Sequence, residues 1–401
     1  MRFRRIFYSM FVALFFLAGC ASSTKTSNAT PTPKARQATT GPATRPAATS
    51  ISYGTSSIPG IHLPPGFQIS AYATGLNAPR FMTIGPHGIL LVANRGGGSI
   101  IALSPGSSPD KAGQQRTIVN NLNDPTGVVM HDGYLYISEG NAISRVKLND
   151  DLTTGPVEHI LSLPEGGQHG TRTVLIGPDN RMYVSIGSTC NVCIETDPHR
   201  AAVWVYNLDG SRGRLFSKGL RNAVGLVINP WNQQIWADVN GRDLIGDNTP
   251  PETVYQLIDQ ADYGWPRCHA GTIHDPQFGQ AANACRGVQQ PLVQMQAHSA
   301  PLGLDFPPQN ATQFPENYRN SLYIAFHGSW NRTMPTGYKV VRVPLTNGNV
   351  AGPAEDFITG WLDNNNTVNG RPVGITFAPD GTLFVSDDKN GTIYHIWSKS
   401  P

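Results

Sequence analysis

Val373-Gly-Ile-Thr-Phe-Ala-Pro-Asp-Gly-Thr-Leu-Phe-Val-Ser386 reads as two short β-runs joined by a Pro-Asp-Gly reversal. β-Branched and aromatic residues fill the runs, and the turn residues favour tight chain reversal. The same phrase occurs at Phe81-Met-Thr-Ile-Gly-Pro-His-Gly-Ile-Leu-Leu-Val-Ala93, at Gly127-Val-Val-Met-His-Asp-Gly-Tyr-Leu-Tyr-Ile-Ser138 and at Thr173-Val-Leu-Ile-Gly-Pro-Asp-Asn-Arg-Met-Tyr-Val-Ser185. It returns at Val224-Gly-Leu-Val-Ile-Asn-Pro-Trp-Asn-Gln-Gln-Ile-Trp-Ala237 and, interrupted, at Leu302-Gly-Leu-Asp-Phe306 with Ser321-Leu-Tyr-Ile-Ala325. Six hairpin copies, several followed by a third short β-run, predict an all-β, six-bladed propeller, in which radial repetition protects the sheet edges. Phe67-Gln-Ile-Ser-Ala-Tyr-Ala73 precedes the first copy and is placed to close the ring as the outer strand of the last blade. The gap of about Asn240 to Pro301 predicts a sizeable loop insertion.

Outside the repeats, Arg2, Arg4 and Arg5 precede the apolar run 6–17 and the ending Leu17-Ala18-Gly19-Cys20. This run is too short for a membrane span and reads as an export signal. A small-residue site directly before cysteine predicts a lipoprotein signal peptide over residues 1–20, with Cys20 as the lipidated first residue. Residues 21–57, rich in Thr, Ala, Pro and Ser, predict a disordered stalk, leaving 58–401 as the propeller domain. The expected protein is exported, periplasmic or cell-surface, and held to a membrane by its lipid anchor alone.

Residues 1–50 hold seven basic side chains and no acidic one, so the formal net charge of +3 leaves −4 for the remainder. No basic surface for nucleic acid follows from that balance. With Cys20 lipidated, Cys190, Cys193, Cys268 and Cys285 form an even set, most simply paired as Cys190 with Cys193 and Cys268 with Cys285. The Cys190-Asn-Val-Cys193 spacing is also compatible with redox or metal chemistry, but Ile194 stands where a c-type haem motif needs histidine.

The first strand of a propeller blade lines the channel and the second runs back. Residues just before the first strand and just after the second therefore share one face. The first set holds Arg80, Arg172, Arg221, Asn222 and Arg371; the second holds Asn94, Arg95, Glu139, Ser188, the 238–243 segment, the 327–332 segment, Asp387 and Asp388. So many cations near a buried axis call for an anionic ligand. The competing reading is that they cap strands and bridge blades.

The strings Gln168-His-Gly-Thr-Arg172, Gly187-Ser-Thr-Cys-Asn-Val-Cys193, Gly219-Leu-Arg-Asn-Ala-Val-Gly-Leu226, Tyr263-Gly-Trp-Pro266, Ala297-His-Ser-Ala-Pro301, His327-Gly-Ser-Trp-Asn-Arg332 and Gly370-Arg-Pro-Val-Gly374 carry a resemblance. From about Leu63 to Trp397 the chain resembles the sorbosone dehydrogenase branch of the glucose/sorbosone dehydrogenase family. That resemblance implies a six-bladed propeller binding pyrroloquinoline quinone (PQQ) and Ca²⁺. It implies oxidation of an aldose or sorbosone-type sugar at C1 to a lactone or acid. A histidine takes the anomeric hydroxyl proton while hydride passes to the C5 carbonyl of PQQ, and an unidentified electron acceptor completes the cycle. His169 corresponds to that base, and Arg221 and Asn222 to the pair that holds the quinone oxygens. Gly241 and Arg242 correspond to backbone-carbonyl ligands of Ca²⁺, a hard cation that takes oxygen donors. Asn331 or Arg332 stands where the glucose-oxidising branch places a lysine on the cofactor. Arg371, Arg95 and Arg80 are further candidates for its carboxylates, and His298 and Ser299 for substrate.

Two departures stand out. The glucose-oxidising branch has an aspartate where this chain has Ser188, and a second arginine where it has Val373. The runner-up functions are a Ca²⁺-dependent lactonase or esterase, which needs acidic and asparagine side chains converging on the metal, and a non-catalytic surface propeller that binds sugar or protein. Asp238, Asp243 and Glu139 are the acids available to the former.

Overall fold

Six antiparallel sheets surround an axis, each beginning with an inner strand: Pro79–Ile84, Gly127–His131, Arg172–Ile176, Ala223–Ile228, Pro301–Asp305 and Pro372–Phe377. The computed structural model describes residues 56–398 except Pro109. The expected signal peptide, Cys20 and nearly all of the expected stalk lie outside the described residues.

The second strands are buried at every position in five blades: Leu90–Asn94, Met182–Ile186, Ile235–Val239, Ser321–Phe326 and Leu383–Asp387. Each is sandwiched between neighbouring blades, so these runs lack the apolar/polar alternation of a sheet with one wet face. The peripheral strand Ala112–Val119 has mostly exposed residues. Phe67–Ala73 pairs antiparallel with Thr392–Ser398, from Phe67 opposite Ser398 to Ala73 opposite Ile393, and so closes the ring as the sequence predicts. The Phe67 ring is clamped edge-on by Phe314, Tyr318 and Phe357 at centroid distances of 4.9, 4.9 and 5.1 Å.

The 240–301 gap is more than a loop. It contributes Glu252–Gln256 and Val293–Met295, the third and fourth strands of the fourth blade, and Ala261–Asp262, which extends the third blade in parallel. Short strands flanked by Pro and Gly carry too little periodicity to be seen in the sequence. Both expected disulfides are present, Cys190–Cys193 and Cys268–Cys285. On the axis, Val224, Leu302 and Val373 pack together with Phe81 against them. Val373 is fully buried there, which accounts for an apolar residue where an arginine would lie buried among hydrocarbon.

Candidate active site

At the end of the axis where inner strands begin and second strands finish, a cavity of about 330 Å³ is lined by His169, Asn191, Arg221, Asn240, Gly241, Asp243, Glu252, His298, Trp330 and Asn331, among others. Further along the inner strands is a second cavity of about 350 Å³, whose only ionisable lining residue is Asp305. Both oxygens of Asp305 accept backbone N–H groups, from Phe306 at 2.8 Å and Phe377 at 2.9 Å. Chemistry gathers in the first cavity.

His169 precedes the third inner strand. Its Nδ1 lies 2.9 Å from Ser188 Oγ and 3.0 Å from the Ser188 carbonyl oxygen. Ser188 Oγ donates its own hydrogen to Cys190 O at 2.7 Å. Both Ser188 atoms can therefore only accept from the ring, which assigns the proton to Nδ1 and leaves Nε2 with a free lone pair. Burial, with Arg221 beside it, pushes the His169 pKa down to about 4. The imidazole is thus neutral near pH 7, as a general base must be. Gly187 is required here, because a Cβ on it would stand 2.5 Å from His169 Cβ and 2.6 Å from Asn222 Oδ1.

Arg221 enters from the turn before the fourth inner strand, and its side chain is 5% exposed. Its Nη2 bonds Asp243 Oδ2 at 2.7 Å and Asn191 Oδ1 at 2.9 Å, and its Nε bonds Asn191 O at 2.9 Å. Nη1 has only a 3.5 Å approach to Asn240 O, which leaves donor capacity on the cavity wall. Burial alone would push the Asp243 carboxyl up, but the neighbouring His298 imidazole and the Arg221 guanidinium hold it below the usual carboxylate range. Asn222 is buried, gives Nδ2 to Asn240 Oδ1 at 3.2 Å, and has no partner for Oδ1.

Gly241 lines the cavity and donates its N–H to Glu252 Oε2 at 2.6 Å. Among the described residues, the carbonyl oxygens of Gly241 and Arg242 accept no hydrogen bond. The Arg242 guanidinium is drawn instead to buried Asp275, which also takes His269 Nε2 at 2.8 Å. Glu252 Oε1 accepts the Ala300 N–H at 3.1 Å, and burial pushes this carboxyl up to about 7. His298 Nε2 meets Gly246 O at 2.8 Å while Nδ1 is 3.7 Å from Asp243 Oδ1, and that carboxylate raises the imidazole above its ordinary value. Ser299 is fully buried with its Oγ unpartnered. Asn331 gives Nδ2 to Asp243 Oδ1 at 2.8 Å and leaves Oδ1 without a partner.

The structure brings His169, Arg221, Gly241, His298 and Asn331 to one cavity. It does not bring Arg95, Arg332 or Arg371 there. Arg95 pairs with Asp124 at 2.5 and 2.9 Å between the first two blades. Arg332 is bonded to the carbonyls of Asp247, Ala297 and Met334. Arg371 bonds the carbonyls of His327 at 3.2 Å and Gly328 at 3.1 Å and covers the Tyr338 ring. Arg80 pairs with Asp388, and Arg172 bonds His169 O at 2.7 Å and Pro164 O at 2.9 Å. For these five, pairing with a carboxylate or gathering loop carbonyls is the observed role.

Asn191 and Glu252 line the site without standing out in the sequence; Asn240 and Asp243 belong to the 238–243 segment expected at the channel mouth, Asp243 also as a possible metal ligand. Asn191 lies between two cysteines whose spacing signals only a disulfide, and Glu252 belongs to a strand within the 240–301 gap, where the sequence carries no β-period. The acids do not converge on a metal, since Glu252 faces two backbone N–H groups and Asp243 faces Arg221 and Asn331.

The TrAA12-like family model matches residues 61–399. The chain belongs to the TrAA12-like family. A pyrroloquinoline quinone-dependent sugar dehydrogenase of Hypocrea jecorina is 26% identical, over 82% of this chain and 87% of that protein. A pyrroloquinoline quinone-dependent pyranose dehydrogenase of Coprinopsis cinerea is 28% identical over 82% of this chain, which spans only 54% of the longer fungal protein. The calcium structure of a Trichoderma reesei Carbohydrate-Active Enzymes Family AA12 protein shares the fold, with a TM-score of 0.75, 23% identity and coverage of 87% of this chain and 99% of that one. Both of these named fungal relatives are PQQ-dependent dehydrogenases acting on sugars.

Proposed function

We propose that this chain oxidises an aldose or sorbosone-type sugar at C1 to a lactone or acid, with PQQ as oxidant and Ca²⁺ beside it. The observation that carries this reading is a neutral histidine of fixed tautomer facing a cavity whose lining arginine, Arg221, keeps one donor nitrogen largely unengaged.

The donor set fits both groups. Arg221 Nη1 and the Asn222 amide suit quinone oxygens, and the Gly241 and Arg242 carbonyls with orphaned Asn222 Oδ1 suit a hard cation. Among the described residues Arg221 is the only arginine lining the cavity, so fewer cations meet the three cofactor carboxylates than in the glucose-oxidising branch. When bound, PQQ supplies a hydride-accepting carbonyl that Ca²⁺ polarises.

The protein supplies the rest. His169 Nε2 takes the proton of the anomeric hydroxyl, and Ser188 holds the ring through Nδ1. His298 and Asn331 line the same cavity beside Asp243, and Asn331 Oδ1 is the acceptor left for a sugar hydroxyl. Export and anchoring through Cys20 remain part of the proposal and place the sugar and the electron acceptor outside the cytoplasm.

The test is reconstitution of the purified protein lacking residues 1–57 with PQQ and Ca²⁺, followed by dye reduction on an aldose panel that includes sorbosone. Sugar-dependent turnover that requires PQQ is expected. No spectral change on adding PQQ, together with no turnover, contradicts the proposal.

A further inference from the structure

Asn191 is the first residue inside the Cys190–Cys193 ring, and each of its polar side-chain atoms is engaged at the active-site wall. Its carbonyl oxygen accepts Arg221 Nε at 2.9 Å and Trp265 Nε1 at 3.3 Å. Its Oδ1 accepts Arg221 Nη2 at 2.9 Å and the Asp243 N–H at 2.8 Å, and its Nδ2 donates to Asp243 O at 3.0 Å. The two oxygens form a fork that fixes one edge of the guanidinium and leaves Nη1 as its open end.

The surrounding segment has no strand or helix between Ile186 and Ala202. Such a segment needs other restraints to hold a side chain in one place. Two are present. The disulfide closes the chain around Asn191, and the Glu195 carboxylate bonds Thr189 N at 2.7 Å and Thr189 Oγ1 at 2.8 Å. The same ring reaches the base, because Cys190 O accepts the Ser188 hydroxyl that orients His169.

We propose that Asn191, held by the Cys190–Cys193 ring, is a positioning residue that sets Arg221 and His169 in register for the reaction. The proposal rests on the dehydrogenase reading for what that register serves, but the register itself is independent of it. The ring thereby acquires a role beyond bridging a loop. No electron transfer to or from the disulfide is involved.

Four variants of the protein test it: Asn191→Ala, Asn191→Asp, Cys190→Ser/Cys193→Ser, and Val192→Ala as a matched change inside the same ring. Two readouts are taken on each, the steady-state constants with PQQ and an aldose, and the NMR titration of the His169 imidazole without cofactor. Burial lowers the His169 pKa most, Arg221 and then Arg172 lower it further, and the Ser188 hydrogen bond and Asp243 raise it.

Removing the Asn191 side chain takes one of the two oxygens out of the fork and leaves Arg221 held by Asp243 and the Asn191 carbonyl alone, so the guanidinium is expected to shift and the His169 titration to rise, burial still holding it below 6.5. Turnover is expected to fall by about 100-fold, the effect of a displacement on the order of 1 Å at a reacting group. Asn191→Asp keeps the acceptor oxygen for Arg221 but loses the donor to Asp243 O and adds a negative charge, so it is expected to restore turnover in part while the His169 titration stays raised. The double cysteine variant is expected to move both in the same direction as Asn191→Ala, and Val192→Ala neither.

An Asn191→Ala protein that folds, as circular dichroism reports, and keeps both turnover and the wild-type His169 titration overturns the proposal. Should Asn191→Ala not fold, the double cysteine variant decides by the same two readouts. If the wild-type protein shows no PQQ-dependent turnover, the functional reading fails while the titration still decides whether Asn191 positions Arg221.

Discussion

His169 Nδ1 donates to Ser188, at 2.9 Å to the hydroxyl and 3.0 Å to the carbonyl oxygen. Serine can fix the tautomer as well as a carboxylate, because its hydroxyl hydrogen is already given to Cys190 O. It cannot stabilise the imidazolium by charge. The chain therefore has a correctly oriented but weakly basic histidine.

The pH dependence of kcat/KM follows. With His169 at about 4, the base is deprotonated over the whole neutral range. Activity is expected to hold as pH falls through 6.5 and to be lost only near pH 4. A profile whose acid limb sits at 6.5 would show an unperturbed imidazole.

Replacing Ser188 by alanine removes one of two acceptors on Nδ1 and leaves the carbonyl. One hydrogen bond contributes about 1 kcal/mol, so kcat is expected to fall by about fivefold to tenfold. Steady-state kinetics of Ser188→Ala check this, and a loss of several hundredfold would show that the hydroxyl does more than orient the ring.

Arg221 and Asp243 form a largely buried pair, with side chains 5% and 17% exposed. Arg221→Ala leaves the carboxylate without its cation, and breaking such a pair costs about 3–5 kcal/mol. Denaturant unfolding of the variant measures this loss, and PQQ titration is expected to show weakened binding in the same protein.

Asp238 is fully buried, accepts the Gly225 N–H at 2.8 Å with Oδ1 and leaves Oδ2 unpartnered. Burial pushes its carboxyl up to about 8 from the usual 3.8. The native protein keeps this proton through a range in which the unfolded chain has lost it, so stability falls as pH rises from about 4 to 8. Asp238→Asn removes that titration. The variant is expected to gain stability relative to wild type progressively across this range, as thermal unfolding at a series of pH values would show.

The fold was legible because each repeat carries its own hairpin, so the six inner strands and the closing strand Phe67–Ala73 could be placed from local sequence. The outer strands Glu252–Gln256 and Val293–Met295 were not, since they are separated by a long insertion and held by pairing at a distance. At the site, His169 and Arg221 were legible through motif and phase. The arginines were the harder group. Arg95, Arg332 and Arg371 have the phase of cofactor ligands, but their partners Asp124, Asp247 and His327 come from other loops or neighbouring blades. Asn191 and Glu252 became visible only when the loops were seen to meet.

The central claim is that His169 is the base of a PQQ-dependent sugar oxidation, and it is tested most directly by His169→Ala measured twice on one sample, by PQQ titration and by sugar-dependent dye reduction. The account predicts PQQ binding close to that of the wild type with turnover abolished. Turnover near the wild-type rate, or loss of PQQ binding together with activity, would contradict it.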